Sequence, residues 1–98
     1  MKIYKYPLPI EDVVKITLPY GASILDVQIQ HGDPYIWAMV EPDNDPEERV
    51  LCIFGTGQEI PMVELHSSSP YYDYIGTFQM KDGDIVFHVF ELSRYVHD

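Results

Sequence analysis

Cysteine is almost missing from this chain: Cys52 stands alone among 98 residues. A lone thiol has no internal partner, so no disulfide staples the fold, and a reducing, cytoplasmic setting is the expectation. Positive charge is scarce as well. Six lysines and arginines stand against sixteen aspartates and glutamates, a formal net charge of −10. A duplex-DNA binder needs cations to neutralise phosphates, and a surface this negative repels duplexes and anionic membranes alike. Long apolar runs are lacking. Nothing approaches the roughly 18 residues of a membrane span, and Met1-Lys2-Ile3-Tyr4-Lys5 has no signal-peptide core. Sustained helical periodicity is lacking too, which points away from helix bundles and coiled coils.

What the chain has is short strands. Lys2–Tyr6 alternates, with Tyr4 and Tyr6 on one side, and Val13–Leu18 groups Val14, Ile16 and Leu18 against exposed Lys15 and Thr17. In Ser23–Gln30 the alternation predicts Leu25, Val27 and Ile29 facing in, with Asp26, Gln28 and Gln30 facing out. His31-Gly32-Asp33 is a turn, and Tyr35–Val40 and Val50–Phe54 are apolar on both faces. Between them Glu41-Pro42-Asp43-Asn44-Asp45-Pro46-Glu47-Glu48 reads as a loop, by its prolines and its charge. Tyr74–Met80 and Asp84–Leu92 flank Lys81-Asp82-Gly83, a hairpin signal because glycine takes the positive φ that a tight turn demands. Pro61–His66 has room for one helical turn, and Ser67–Pro70 reads as surface. The expectation is one all-β domain over residues 1–98, about seven mostly antiparallel strands in a small sandwich or barrel. A chain of this length buries roughly 60–65% of its unfolded surface. Strands apolar on both faces imply a closed barrel, a covering segment from residues 58–73, or a subunit interface; the interface is the preferred reading and predicts a homo-oligomer.

The order of motifs resembles a known family. Ile3-Tyr4-Lys5-Tyr6-Pro7-Leu8, Leu18-Pro19-Tyr20-Gly21-Ala22, Ile24-Leu25-Asp26-Val27-Gln28 and Ile36-Trp37-Ala38 are followed by Gly55-Thr56-Gly57, Tyr74-Ile75-Gly76-Thr77 and Phe87-His88-Val89-Phe90-Glu91. In combination they are similar to a family of small proteins of about this length from bacteriophages and prophages, described as a domain of unknown function. The chain departs from that pattern mainly in residues 66–74 and in the tail, Ser93–Asp98. The resemblance implies a phage or prophage origin and a host-cell cytoplasmic setting. It brings no catalytic residues with it.

Few side chains invite chemistry. Cys52 lies between Leu51 and Ile53 with no base beside it, which reads as a core thiol. His31, His66, His88 and His97 share no metal-ligand spacing, and Pro46 breaks any calcium-loop order among Asp43, Asp45, Glu47 and Glu48. No metal or cofactor and no enzyme activity are therefore expected. His88 falls in an apolar row with Val86 and Phe90, which suits an imidazole satisfied by a backbone or carboxylate partner, or a ligand contact at an interface. Gly55-Thr56-Gly57 closes a strand and offers backbone N–H groups to an anion. His66, Tyr71, Tyr72 and Tyr74 add rings suited to stacking. The leading expectation is a non-enzymatic phage protein that binds a small anionic, nucleotide-like ligand through Gly55, Thr56, Gly57, His66, Tyr71, Tyr72, Tyr74 and His88, plausible as counter-defence. The alternatives are an inhibitor that meets a host protein through Asp43, Asp45, Glu47 and Glu48, or a minor virion or assembly protein.

Overall fold

The computed structural model describes residues 1–61 and 70–94. The described residues form seven strands: β1 (Lys2–Pro7), β2 (Val13–Pro19), β3 (Ser23–Gln30), β4 (Asp33–Val40), β5 (Pro46–Gly55), β6 (Pro70–Met80) and β7 (Ile85–Arg94). They make two antiparallel sheets in a sandwich, one ordered β1-β4-β3 and the other β2-β5-β7-β6. The all-β expectation holds, and the strands apolar on both faces find a simple explanation. They are β4, β5 and β7, each with a strand on either side. Their outward side chains are flanked as well as their inward ones: Ile36, Ala38 and Val40 of β4 are buried, while Tyr35, Trp37 and Met39 on its other face are half-buried. The Lys5 ammonium lies 4.6 Å from the centre of the Tyr35 ring, covering part of that outer face. The one helical turn assigned to Pro61–His66 lies, apart from Pro61, outside the described residues.

Three strands start earlier than the sequence predicts: β4 at Asp33, by two residues, and two others by more. β5 begins at Pro46, so the acidic loop contracts to residues 41–45, and Glu47 and Glu48 pair with Leu18 and Thr17. β6 begins at Pro70, so Tyr71 to Tyr74 belong to a strand rather than a loop. In both cases proline occupies the first strand position, where its missing N–H is tolerated. The turns behave as their residues dictate. His31 and Gly32 both have positive φ, 53° and 86°, the geometry of a two-residue hairpin turn. Lys81, Asp82 and Gly83 are all left-handed, at 52°, 56° and 92°.

The core contains Val14, Val27, Ile36, Leu51, Ile53, Phe78 and Val89, with Leu18, Ala38 and Val40 forming a second group towards one end. Leu18, Val27, Ile36, Val40, Leu51 and Val89 are almost wholly excluded from solvent. Each such side chain contributes about 1.5–3 kcal/mol of burial. Two inward assignments fail: Leu25 is 45% exposed and Ile29, near the end of β3, is 36% exposed. The register slips between Ile24 and Asp26, a bulge at Leu25 that turns Ile24 towards the core instead. β6 slips likewise between Tyr74 and Gly76. The two irregular stretches meet where the sheets come together, and a Cβ on Gly76 would lie 2.8 Å from Val27 Cγ1 and 3.0 Å from Asp26 Oδ1. Glycine is needed here for space.

Gly76→Ala should therefore destabilise the protein by about 1–3 kcal/mol, as overpacking does. In urea denaturation, Val27→Ala should cost less in the Gly76→Ala background than in the wild type. Additive losses would mean that the two positions do not compete for the same space.

Candidate functional site

The outer face of the four-stranded sheet carries most of the described candidate residues. Leu51, Ile53 and Val89 point into the core, so alternation sends Cys52, Phe54, His88 and Phe90 to the opposite face. Phe90 is central there. Its ring centroid lies 5.9 Å from that of Phe54, 6.1 Å from Tyr72 and 5.5 Å from Tyr74, all in edge-to-face arrangements. Phe54 also meets Tyr72 at 5.7 Å. Such pairs add about 0.5–1.5 kcal/mol beyond area burial.

A polar strip runs beside these rings. His88 Nε2 lies 2.7 Å from Thr56 Oγ1, and His88 Nδ1 lies 3.0 Å from Thr77 Oγ1. Thr77 Oγ1 also lies 2.6 Å from the Tyr74 hydroxyl. The ring is thus held by two threonine hydroxyls, not by the backbone or carboxylate partner that its apolar row suggests. Thr56, Thr77 and Tyr74 are exposed and His88 is half-buried, so the strip faces solvent along its length.

The glycine turn is organised differently from a free anion cradle. The Gly55 N–H donates to Gln58 Oε1 at 2.9 Å and the Thr56 N–H to the Val86 carbonyl at 3.2 Å. Gly57, at φ 87°, reverses the chain, and the Gln58 N–H closes the turn onto the Gly55 carbonyl at 3.0 Å. What the turn presents outward is the Thr56 hydroxyl. Tyr71 lies opposite Ser93 in the β6–β7 pairing, its side chain outside the described residues, as is all of His66.

The four acidic candidates are not gathered on one surface. Asp43 and Asp45 sit in the β4–β5 turn, fastened by Tyr20 N–H to the Asp45 carbonyl at 2.7 Å and Asn44 Nδ2 to the Tyr20 carbonyl at 3.0 Å. Glu48 points outward from β5. Glu47 points the other way, 3.6 Å from Arg49 Nη1. Arg49 is the feature that sequence reading misses. Its guanidinium makes a two-point contact with Glu91 through Nε and Nη2, while Nη1 donates to the Ala22 carbonyl at 2.9 Å. The side chains of Arg49 and Glu91 are only 17% and 16% exposed. The hydrogen bonds to Glu91 hold the guanidinium pKa above its ordinary value, so it stays charged. Asp73 and Ser93 join this group in lining a cavity of about 440 Å³ near Tyr20. Only the β5–β7 register, which sets Leu51 opposite Glu91, brings Arg49 and Glu91 within reach.

Cys52 is 5% exposed, and burial pushes its thiol pKa up. Among the described residues, no group of three histidine, cysteine or acidic side chains is arranged to hold a metal ion. No helix among them is long and apolar enough to cross a membrane.

Fold and site together define a small antiparallel β-sandwich with an aromatic and hydroxyl-lined outer sheet face. The chain belongs to the family described as Domain of unknown function (DUF7352), whose model matches residues 1–97. No curated protein and no solved structure matches the chain.

Two tests follow from this geometry. Arg49→Ala leaves Glu91 and Glu47 without their cation and should lower stability by about 2–3 kcal/mol in urea denaturation, with Arg49→Lys losing less. A variant as stable as wild type would show the ion pair to be dispensable. Cys52 in the native protein should react with a disulfide reagent at least about 100-fold more slowly than in the unfolded chain, since its thiol must first be uncovered. Comparable rates in the two states would contradict the burial of the thiol.

Proposed function

We propose that this protein acts by binding rather than catalysis, holding a small nucleotide-like anion on the outer face of its four-stranded sheet. The observation that carries this reading is the juxtaposition of the Thr56–His88–Thr77–Tyr74 strip with the Phe54–Tyr72–Phe90 rings. Rings accept a base by stacking, and hydroxyls and an imidazole hydrogen-bond the polar parts of the same molecule. Charge placement supports it. In a protein of net charge −10, strand alternation puts Glu48 as the one carboxylate among the described strand residues of this face, with Lys15 also on it. A ligand's phosphate meets little repulsion there.

Within this proposal the protein is of phage or prophage origin and works in the host cytoplasm, sequestering a nucleotide signal used in defence. It does so as a homo-oligomer, with the exposed Ile3 and Leu25 and the half-buried Trp37 and Met39 of the three-stranded sheet as the apolar surface that favours self-association. Glu47 and Glu48 point to opposite faces of β5, which favours the ligand reading over a single acidic docking surface built from Asp43, Asp45, Glu47 and Glu48.

Native mass spectrometry after incubation with mononucleotides and cyclic dinucleotides tests this directly. The expected result is an oligomer carrying the mass of a nucleotide. Tyr74→Ala should weaken retention by about 10- to 100-fold, the loss of one stacking contact. Bare protein throughout the set, or full retention by a Tyr72→Ala/Tyr74→Ala double variant, would sink the reading.

A further inference from the structure

The hydrogen-bond chain across the outer face permits a count of its protons. Thr56, His88, Thr77 and Tyr74 are joined by three contacts. Each hydroxyl carries one proton and a neutral imidazole carries one on nitrogen, so four protons are available. Three fill the internal bonds and one is left over. With every internal bond filled, that last proton projects from Thr56, from Tyr74, or from Thr77 when Thr77 accepts from both of its neighbours. At most one end of the chain then donates outward. Protonating His88 adds a fifth proton. Both ring nitrogens then donate, to Thr56 and to Thr77, and when Thr77 passes its own proton to Tyr74 both ends of the chain donate outward.

From this count we propose that His88 takes up a proton when an anion binds on this face. Both ends of the strip then offer donors, and the imidazolium supplies the countercharge. The inference rests on the binding reading above and adds the linkage to pH. The strip crosses from the end of β5 over β7 to β6, about 9–10 Å at ordinary strand spacing. That length suits a phosphorylated molecule with acceptors at two places better than a single oxyanion held at one point. Hydroxyl partners are essential to the scheme. A carboxylate on either nitrogen would accept in both protonation states and fix the direction of the chain.

The groups around His88 leave it free to act this way. Thr77 lies opposite it on β6 and Phe54 on β5, with Tyr74 and Cys52 next along the same face, opposite Phe90. Val86 and Phe90 flank it on β7, and Thr56 comes from the glycine turn. Among the described side chains, the charged ones of the same face are Lys15 on β2 and Glu48 on β5, opposite Val50 and Thr17 respectively, away from the Phe54–His88 pair. Glu59 follows the turn, and Lys81, Asp82 and Asp84 lie at the β6–β7 hairpin.

Nuclear magnetic resonance of the histidine ring protons tests the linkage without a nucleotide. The probe is sodium sulfate, whose charge is constant between about pH 5 and 8, where histidine changes its own. The control is sodium chloride at equal ionic strength. His31, in the exposed β3–β4 turn, reports the general screening of a negative protein, which affects both histidines. Sulfate should raise the protonation midpoint of His88 by about half a pH unit relative to that of His31, a threefold preference of the anion for the protonated ring. In Thr56→Val and in Tyr74→Phe, each lacking one terminal donor, the difference should shrink. If His88 follows His31 in both salts, or if the variants shift as far as wild type, the linkage is overturned. Nucleotide retention in the mass-spectrometric experiment would then still support the binding reading on its own.

Discussion

The sandwich depends on a close approach at one corner, where Gly76 of β6 passes so near Val27 of β3 that even a methyl group would intrude. β3 and β6 are the outer strands of their respective sheets, and this contact brings the sheets together along one side. The opposite side is left to β1 and β2. A bulge in β6 accompanies the approach, and its effect reaches the outer face. Tyr74 and Thr77 are three residues apart, so in a regular strand they would point to opposite faces. The extra residue between Tyr74 and Gly76 returns both to the same face, where their hydroxyls meet at 2.6 Å. The irregularity at the sheet junction and the polar strip therefore have one origin.

Charge is arranged with similar economy. The described acidic side chains are spread over turns, sheet ends and edges, and the half-buried Glu91 is matched with a guanidinium. Arg49 reaches from β5 of one sheet to the carbonyl of Ala22, just before β3 of the other sheet. A lysine would supply the charge but not three directed donors in one plane. The ion pair thus helps hold the far end of the sandwich shut, while the outer face of the four-stranded sheet stays nearly free of carboxylates.

Strand number, sheet class and the hairpin at residues 81–83 were legible because they follow from alternation and turn chemistry, which are local. Thr77 was legible in principle too: a hairpin pairing Met80 with Ile85 places Thr77 opposite His88 by counting back along both strands. The bulges at Leu25 and Ile75 were not, since nothing in either strand's own pattern marks them. They come from the meeting of two sheets. The early starts of β5 and β6 were hidden by proline and charge, both of which read as loop until a partner strand is known. Nothing local marks Arg49, because its partner, Glu91, is distant in sequence and becomes a neighbour only through the β5–β7 pairing. Of the candidate site, Thr56, His88 and Tyr74 were named for separate reasons, and the fold joins them into one strip.

The chemistry of that strip turns on what it lacks. An imidazole that serves as a general base is usually oriented by a carboxylate, which fixes its tautomer and stabilises the imidazolium formed in the reaction. His88 has hydroxyls on both nitrogens instead. A hydroxyl donates and accepts, so neither tautomer is imposed and no fixed negative charge awaits the proton. Such a ring is poorly equipped to sustain proton abstraction from Thr56, despite the 2.7 Å contact between them. It is well equipped to adjust its donors to whatever lies against the face. On the binding reading proposed above, the countercharge that a carboxylate would have supplied from inside the protein is left for the ligand to provide.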